Sequence, residues 1–306
     1  NGGGIMQGAI DVVNNFLFNR LIVYTEDRQK KQQKAFADGN QKNLFSGRLV
    51  VLVDDFSASA SEIVAGAIQD WDRGVIVGRR TFGKGLVQSP VPLPDGSMIR
   101  LTVARYHTPS GRYIQKPYQK GQSEAYENEL LDRFTHGEFI NQDSIQFADS
   151  LKYTTLHAQR TVYGGGGIMP DIFIPIDTTR TNNYYGKVNT FAIPNRVAMN
   201  FVDKHRDEIK TKYPTIKQFK NNFEVPESVM QEVIKMAEKE KIAYNEGEYT
   251  QSKGRIALFI KALIARDIFD MSEYFQIIND DNDSFQKALE VIQDEKTYNQ
   301  LLGITK

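Results

Sequence analysis

Leu49-Val50-Val51-Leu52-Val53 is an unbroken aliphatic run, and it limits the possible folds more than any other segment. A run this short is the pattern of a strand buried on both faces. Ser59 to Asp72 follows with apolar residues at Ala60, Ile63, Val64, Ala67, Ile68 and Trp71, the spacing of one helix face. Gly74-Val75-Ile76-Val77-Gly78 is a second short buried strand. Strand, helix and strand in this order predict a βαβ unit, hence a parallel sheet with a right-handed crossover. Val87 to Leu93 and Met98 to Tyr106 flank Pro94-Asp95-Gly96-Ser97 and predict a hairpin. The fold class expected is therefore α/β for this part of the chain.

The flanking segments differ in character. Ile5 to Phe18 has helical spacing at Ile5, Ala9, Val12, Val13, Phe16 and Leu17. Glu26 to Asn43 is charged and reads as a solvated connection, with a weak edge strand from Leu21 to Tyr24. Pro109 to Tyr163 is polar and irregular, an insertion with one helix near Glu124 to Phe134. Gly164 to Gly167 reads as flexible, and Ile168 to Pro175 as a short extended return. From about Thr178 the pattern becomes helical at Asn195 to Lys212, Glu227 to Lys241, Lys253 to Phe269 and Ser284 to Leu302. Pro226 suits the first turn of its helix. The sequence shows no internal repeat. Two regions are expected, 1–177 with an insertion at about 118–161, and an all-helical region over 178–306. The 306 residues, 40% of them hydrophobic, suffice for two modest domains.

Several function classes drop out on composition. Lys plus Arg and Asp plus Glu number 38 each, a formal net charge of zero. That removes a global attraction to nucleic acid or an anionic membrane, while a local patch stays open. Cysteine is absent, which excludes disulfides, Cys-ligated zinc and thiol catalysis. No segment approaches the roughly 18 apolar residues of a membrane span. His107, His136, His157 and His205 are scattered without metal-ligand spacing. Asp280-Asp281-Asn282-Asp283 resembles the start of a calcium loop but lacks its glycine and later glutamate, and reads as a turn and helix cap. No metal or cofactor is expected. The opening Asn1-Gly2-Gly3-Gly4, with neither a start methionine nor a signal peptide, reads as a piece of a longer polypeptide.

Two motifs point to chemistry. Ser57-Ala58-Ser59-Ala60-Ser61-Glu62 stands between the first buried strand and its helix. Ligands gather at the C-terminal ends of strands in such sheets, and a helix N-terminus offers unpaired N–H groups to a developing oxyanion. The plain alternative is structural, since Ser59 with Glu62 makes a capping box. The residues alone do not choose between Ser57, Ser59 and Ser61. Thr81-Phe82-Gly83-Lys84-Gly85 follows the second strand, with small or apolar neighbours around Lys84. Burial lowers a lysine from its usual value of about 10.4, and one tuned to about 7–8 serves as a general base. The alternative is a surface lysine in a turn. Gln88 would share a face with Lys84 in a straight strand but stand about 13 Å away. The two can meet only if the backbone bends, most simply at Gly85. Gly78 to Lys84 also fits the first seven positions of a phosphate-binding loop, but Gly85 replaces the Ser or Thr and an extended segment follows where a helix should. A Ser–His pairing through His107 is a further alternative.

Taken together, Leu49 to Val53, Ser57 to Ile63 and Thr81 to Gly85 resemble the carboxyl-terminal processing peptidases, the tail-specific serine proteases of the S41 type. Asn1-Gly2-Gly3-Gly4, Gln88, Pro109-Ser110-Gly111-Arg112 and Gly167-Ile168-Met169-Pro170-Asp171-Ile172 extend the resemblance over roughly Asn1 to Pro175. It implies Ser59 as nucleophile, Lys84 as base, Gln88 as the group that orients Lys84, and an oxyanion hole from the N–H groups of Ala60 and Gly4. It also implies a crotonase/ClpP-like αββ core, incomplete at its N-terminus here, because the family carries a PDZ domain and a first stretch of core before the glycines. Acyl transfer on protein or peptide substrates, and export to the periplasm or cell envelope, follow from the same resemblance. Arg79-Arg80 departs from it, standing where the family often has an acidic residue. A second expectation is an inactive truncated module that binds proteins as a scaffold. A nucleotide-binding enzyme is the third.

Overall fold

A computed structural model of the chain describes residues 1–39, 44–118, 121–180 and 182–304. The opening glycines lead into α1 (Met6–Val13), which buries Ala9, Ile10 and Val13. Strands β1 (Leu21–Asp27) and β2 (Gln32–Phe36) follow. The β3 strand (Val50–Val53), helix α2 (Ala60–Asp70) and strand β4 (Val75–Gly78) then form the βαβ unit. β3 and β4 pair in parallel, Val50 opposite Val75 through Val53 opposite Gly78. The predicted hairpin is β5 (Leu86–Pro92) against β6 (Met98–His107). The insertion holds α3 (Ser123–Thr135) and the short pair β7 (Lys152–Thr154) and β8 (Thr161–Tyr163). β9 (Ile172–Phe173) returns parallel to β4.

The strand orders are β2-β1-β6-β5 and β3-β4-β9. β1 is therefore paired on both sides, where the sequence suggested a weak edge strand. The edge is β2, which arises in the stretch read as a solvated connection; charged and polar residues on a sheet edge look like loop in a sequence. Residues 40–43 of that stretch lie outside the described residues, as do 119–120 of the insertion. All of β4 is buried, as expected. β3 is not, because it forms the edge of its sheet and Leu52 is 41% exposed. One face of this sheet, with Val53 and Ile76, packs with Ile63 and Ile68 of α2. Val75 and Val77 on the other face pack with Val291, Tyr298 and Leu302, leaving Leu52 uncovered.

Contacts group Asn1–Pro175 with Lys287–Lys306 in one unit and Ile176–Gln286 in another. The last residues thus leave the single helical block of 178–306 drawn from sequence. The Tyr298 hydroxyl accepts the Leu49 N–H at 2.8 Å beside β3.

The second unit is helical: α4 (Asn183–Thr190), α5 (Ile193–Lys212), α6 (Ile216–Asn222), α7 (Glu227–Lys239), α8 (Glu246–Ile268) and α9 (Met271–Ile278). Its own core includes Val197, Phe219, Val233, Ile256 and Ile260. The short α4, α6 and α9 have too few turns to show a clear apolar stripe. Pro226 is the N-cap of α7, one position before the expected first turn. The run read as one helix from Ser284 to Leu302 is two, α10 (Asp283–Gln293) and α11 (Glu295–Leu301), because the Asp294 carboxylate caps the second. No described helix is long and apolar enough to cross a membrane.

Candidate active site

Ser59 is the N-cap of α2, at the end of the turn that leaves β3. Its backbone has φ 59° and ψ −120°, a conformation that costs about 1–3 kcal/mol for a residue with a side chain. The opening residues hold it there. Ala58 N–H donates to the Asn1 carbonyl at 3.1 Å, and Gly3, with φ +83°, packs so closely that a Cβ would lie 2.4 Å from the Ala58 carbonyl oxygen. The three serines separate by position. Ser57 Oγ donates to Asp54 Oδ1 at 3.0 Å within the turn. Ser59 alone of the three lines the cleft described below.

Glu62 ties the serine to the lysine loop. The carboxylate is fully buried and accepts the N–H groups of Ser59 and Lys84 on Oε2, each at 2.8 Å. Its Oε1 takes the Gly83 N–H at 2.7 Å and the Thr81 hydroxyl at 2.5 Å. Burial pushes the Glu62 carboxyl up from its ordinary range, and these four donors pull it back. The capping box predicted from Ser59 and Glu62 therefore does more than end a helix: it crosses to a second segment. Tyr106 supports the same junction, its hydroxyl 2.6 Å from the Lys84 carbonyl oxygen and 3.1 Å from that of Ser59. Sequence reasoning missed Thr81 and Tyr106 as parts of the site. Thr81 stood inside the quoted glycine–lysine motif; Tyr106 gave no signal.

Ser59, Ala60, Lys84, Gln88 and Gly4 all line one cleft of about 570 Å³. Its apolar walls include Ile63, Leu86, Val87 and Pro90. Among the described residues, Lys84 Nζ makes no hydrogen bond or ion pair, and the N–H groups of Gly4 and Ala60 have no protein acceptor. No hydrogen bond joins Ser59 Oγ to Lys84 Nζ. Gln88 is exposed on β5. The β5–β6 ladder has a register irregularity between Val87 and Gln88, opposite the unpaired Val103 of β6.

The other quoted residues lie elsewhere. Arg79 pairs with Asp55 at 2.7 Å and Arg80 with Glu138 at 2.7 Å, so neither guanidinium stands in the cleft. Burial, with Arg133 close by, pushes Arg80 down to about 10. Arg112 is buried against Asp70 and Gln69, and Asp171 accepts the Ile76 N–H of β4 at 2.7 Å, so these motif residues brace the core. His107 stacks on Tyr24 at 4.8 Å, outside the cleft lining, which removes the geometry for a Ser–His pair. A strand follows Gly78 to Lys84, which removes the helix a phosphate loop requires. Asp280 pairs with Lys220 at 2.8 Å.

Residues 1–121 match the model of peptidase family S41. Over 116 residues the chain is 47% identical to the carboxyl-terminal-processing protease of Synechocystis sp., covering 38% of this chain and 27% of that protein. This segment belongs to peptidase family S41. A chloroplastic C-terminal processing peptidase of Tetradesmus obliquus is 46% identical to the S41 segment over 116 residues, 38% of this chain and 25% of that one. The corresponding protease of Bartonella bacilliformis is 45% identical over 116 residues, 38% of this chain and 26% of the relative. Among solved structures, a photosystem II D1 C-terminal processing protease shares 46% identity over 36% of this chain and 28% of that chain, with a TM-score of 0.34. The chain spans about a quarter of the length of the curated relatives it matches. Beyond the S41 segment, residues 184–270 match a family of unknown function (DUF8443).

Proposed function

We propose that the chain carries the catalytic segment of a serine endopeptidase that hydrolyses protein substrates near their C-termini. One observation supports this most: Gly4, Ser59, Ala60, Lys84 and Gln88, far apart in sequence, meet in one cleft of about 570 Å³. The S41 membership of residues 1–121 supplies the reaction class.

In this reading Ser59 Oγ attacks the scissile carbonyl while the unprotonated amine of Lys84 takes the hydroxyl proton. The tetrahedral oxyanion receives hydrogen bonds from the N–H groups of Ala60 and Gly4, whose lack of protein acceptors suits the role. Collapse breaks the C–N bond, Lys84 returns the proton to the leaving amine, and the acyl group stays on Ser59. Water then attacks the ester, giving its proton to Lys84, and the carboxylic acid product leaves as Ser59 is reprotonated. Gln88 orients the Lys84 amine as the substrate closes the gap between Ser59 and Lys84; such bonds are often loose before substrate binds. The apolar walls seat substrate side chains. We assign this chemistry to residues 1–177, with the insertion at about 118–161, within a crotonase-like αββ core. A location in the periplasm or cell envelope accords with the bacterial and chloroplastic origin of the relatives.

Proteolysis of an unstructured protein by the chain and by folded Ser59→Ala and Lys84→Ala variants tests the proposal. Activity in the unmutated chain that is lost in both variants supports it. Undiminished activity in both would overturn the residue assignment. No cleavage by the unmutated chain would favour the scaffold module.

A further inference from the structure

Helix α3 lies past residue 121, where the S41 match ends, yet it reaches the segment that carries Lys84. Arg133 is 4% exposed and donates to the carbonyl of Arg80 at 2.8 Å and to that of Thr81 at 3.1 Å. Glu138, just after the helix, holds Arg133 Nε at 3.2 Å and Arg80 Nη2 at 2.7 Å. Lys116 pairs with Glu129 of α3 at 3.1 Å and lies over the Phe82 ring at 4.1 Å.

The held segment belongs to no helix or strand between Arg79 and Gly85. Its main-chain groups must therefore find partners outside a ladder. Arg133 supplies two of them, and its fixed planar fork suits two successive carbonyls better than a flexible ammonium would. The Phe82 amide goes to the Ser57 carbonyl, and those of Gly83 and Lys84 go to Glu62, which also holds Ser59. A continuous path of hydrogen bonds thus runs from the inserted helix to both members of the Ser59–Lys84 pair.

We propose that Arg133 is a positioning residue for Lys84, fixing the Arg80–Thr81 main chain so that the inserted helix sets the separation of base and nucleophile. The inference rests on the peptidase reading for its catalytic consequence, but not for its structural one. An S41 match alone does not reveal it, because the residue lies in the insertion and touches neither Ser59 nor Lys84.

The test compares the full chain with Arg133→Lys and Arg133→Gln, measuring peptide cleavage and amide hydrogen exchange. Expected in Arg133→Gln is a fall in kcat of about tenfold or more with KM within about twofold, as displacement of a reacting group demands. Arg133→Lys, which keeps the charge and one donor direction, should recover part of the loss. The amides of Gly83 and Lys84 should exchange faster in both variants, while those of β4 keep their protection. If Arg133→Gln does not fold, Arg133→Lys carries the same two readouts with a smaller expected change. Unchanged kcat in a folded variant, with Ser59→Ala inactive, would overturn the inference and leave the peptidase reading standing. If the unmutated chain is inactive, the exchange data decide alone: acceleration confined to the Lys84 loop supports the positioning role. Uniform acceleration or none overturns it.

Discussion

Glu62 presents one buried carboxylate to donors from two segments, the Ser59 cap and the loop from Thr81 to Lys84. Glutamine keeps the shape but has a single acceptor oxygen and adds two N–H donors. Glu62→Gln should therefore strand at least one buried amide, at a cost of about 2–4 kcal/mol in urea unfolding. Labelling of Ser59 should slow with it. Equal stability would mean that the carboxylate does not tie the two segments. Gly3→Ala is a second residue-scale prediction. Its φ of +83° and the 2.4 Å approach of a Cβ to the Ala58 carbonyl leave no room, so the serine turn should shift. Reactivity at Ser59 should fall more than global stability, read by labelling rate against thermal unfolding. At this scale the sequence was partly legible. The Ser-x-x-Glu spacing showed the cap, but nothing local could choose Ser59 over Ser57 and Ser61. Ser57 is engaged within its own turn by Asp54, whereas the Ser59 turn is packed by Gly3 from far along the chain, and that approach leaves no local signal.

Among the elements, a short aliphatic run located β4, helical spacing located α2, and the Pro-Asp-Gly-Ser turn between two extended runs located the hairpin, although that hairpin is largely exposed. The same local signals misjudged the edges. β2 exposes Gln32, Gln33 and Lys34 with a single apolar residue, Phe36, and β3 carries the aliphatic residues of an interior strand in an edge position. Neither position is written in local pattern, since it depends on which strand pairs where. The bulge at Val87 and Gln88 was likewise hidden, although the need for a bend was legible from the Lys84–Gln88 distance. Tyr298 gives a stability test. Its hydroxyl bonds both the N–H and the carbonyl of Leu49, at 2.8 and 3.1 Å, so Tyr298→Phe should cost about 1–3 kcal/mol by chemical denaturation.

At the scale of the whole chain, the sequence pattern changes from mixed to helical periodicity near residue 178. The grouping of Lys287–Lys306 with the first unit has no such local signal, because an amphipathic helix does not name the surface it covers. The helical unit has its own core around Phe219, Val233 and Ile260. Phe219→Ala should cost that unit about 3–5 kcal/mol and lower its calorimetric transition. Reactivity of Ser59 should be unchanged, which would separate the catalytic segment from the helical unit. The central claim is that Ser59 is a nucleophile activated by Lys84. Its most direct test is peptide mapping by mass spectrometry after exposure of the chain to a fluorophosphonate probe. One adduct is expected, on Ser59, absent in Ser59→Ala and formed much more slowly in folded Lys84→Ala. An adduct on Ser57 or Ser61, or labelling of Ser59 at an unchanged rate without Lys84, would contradict it.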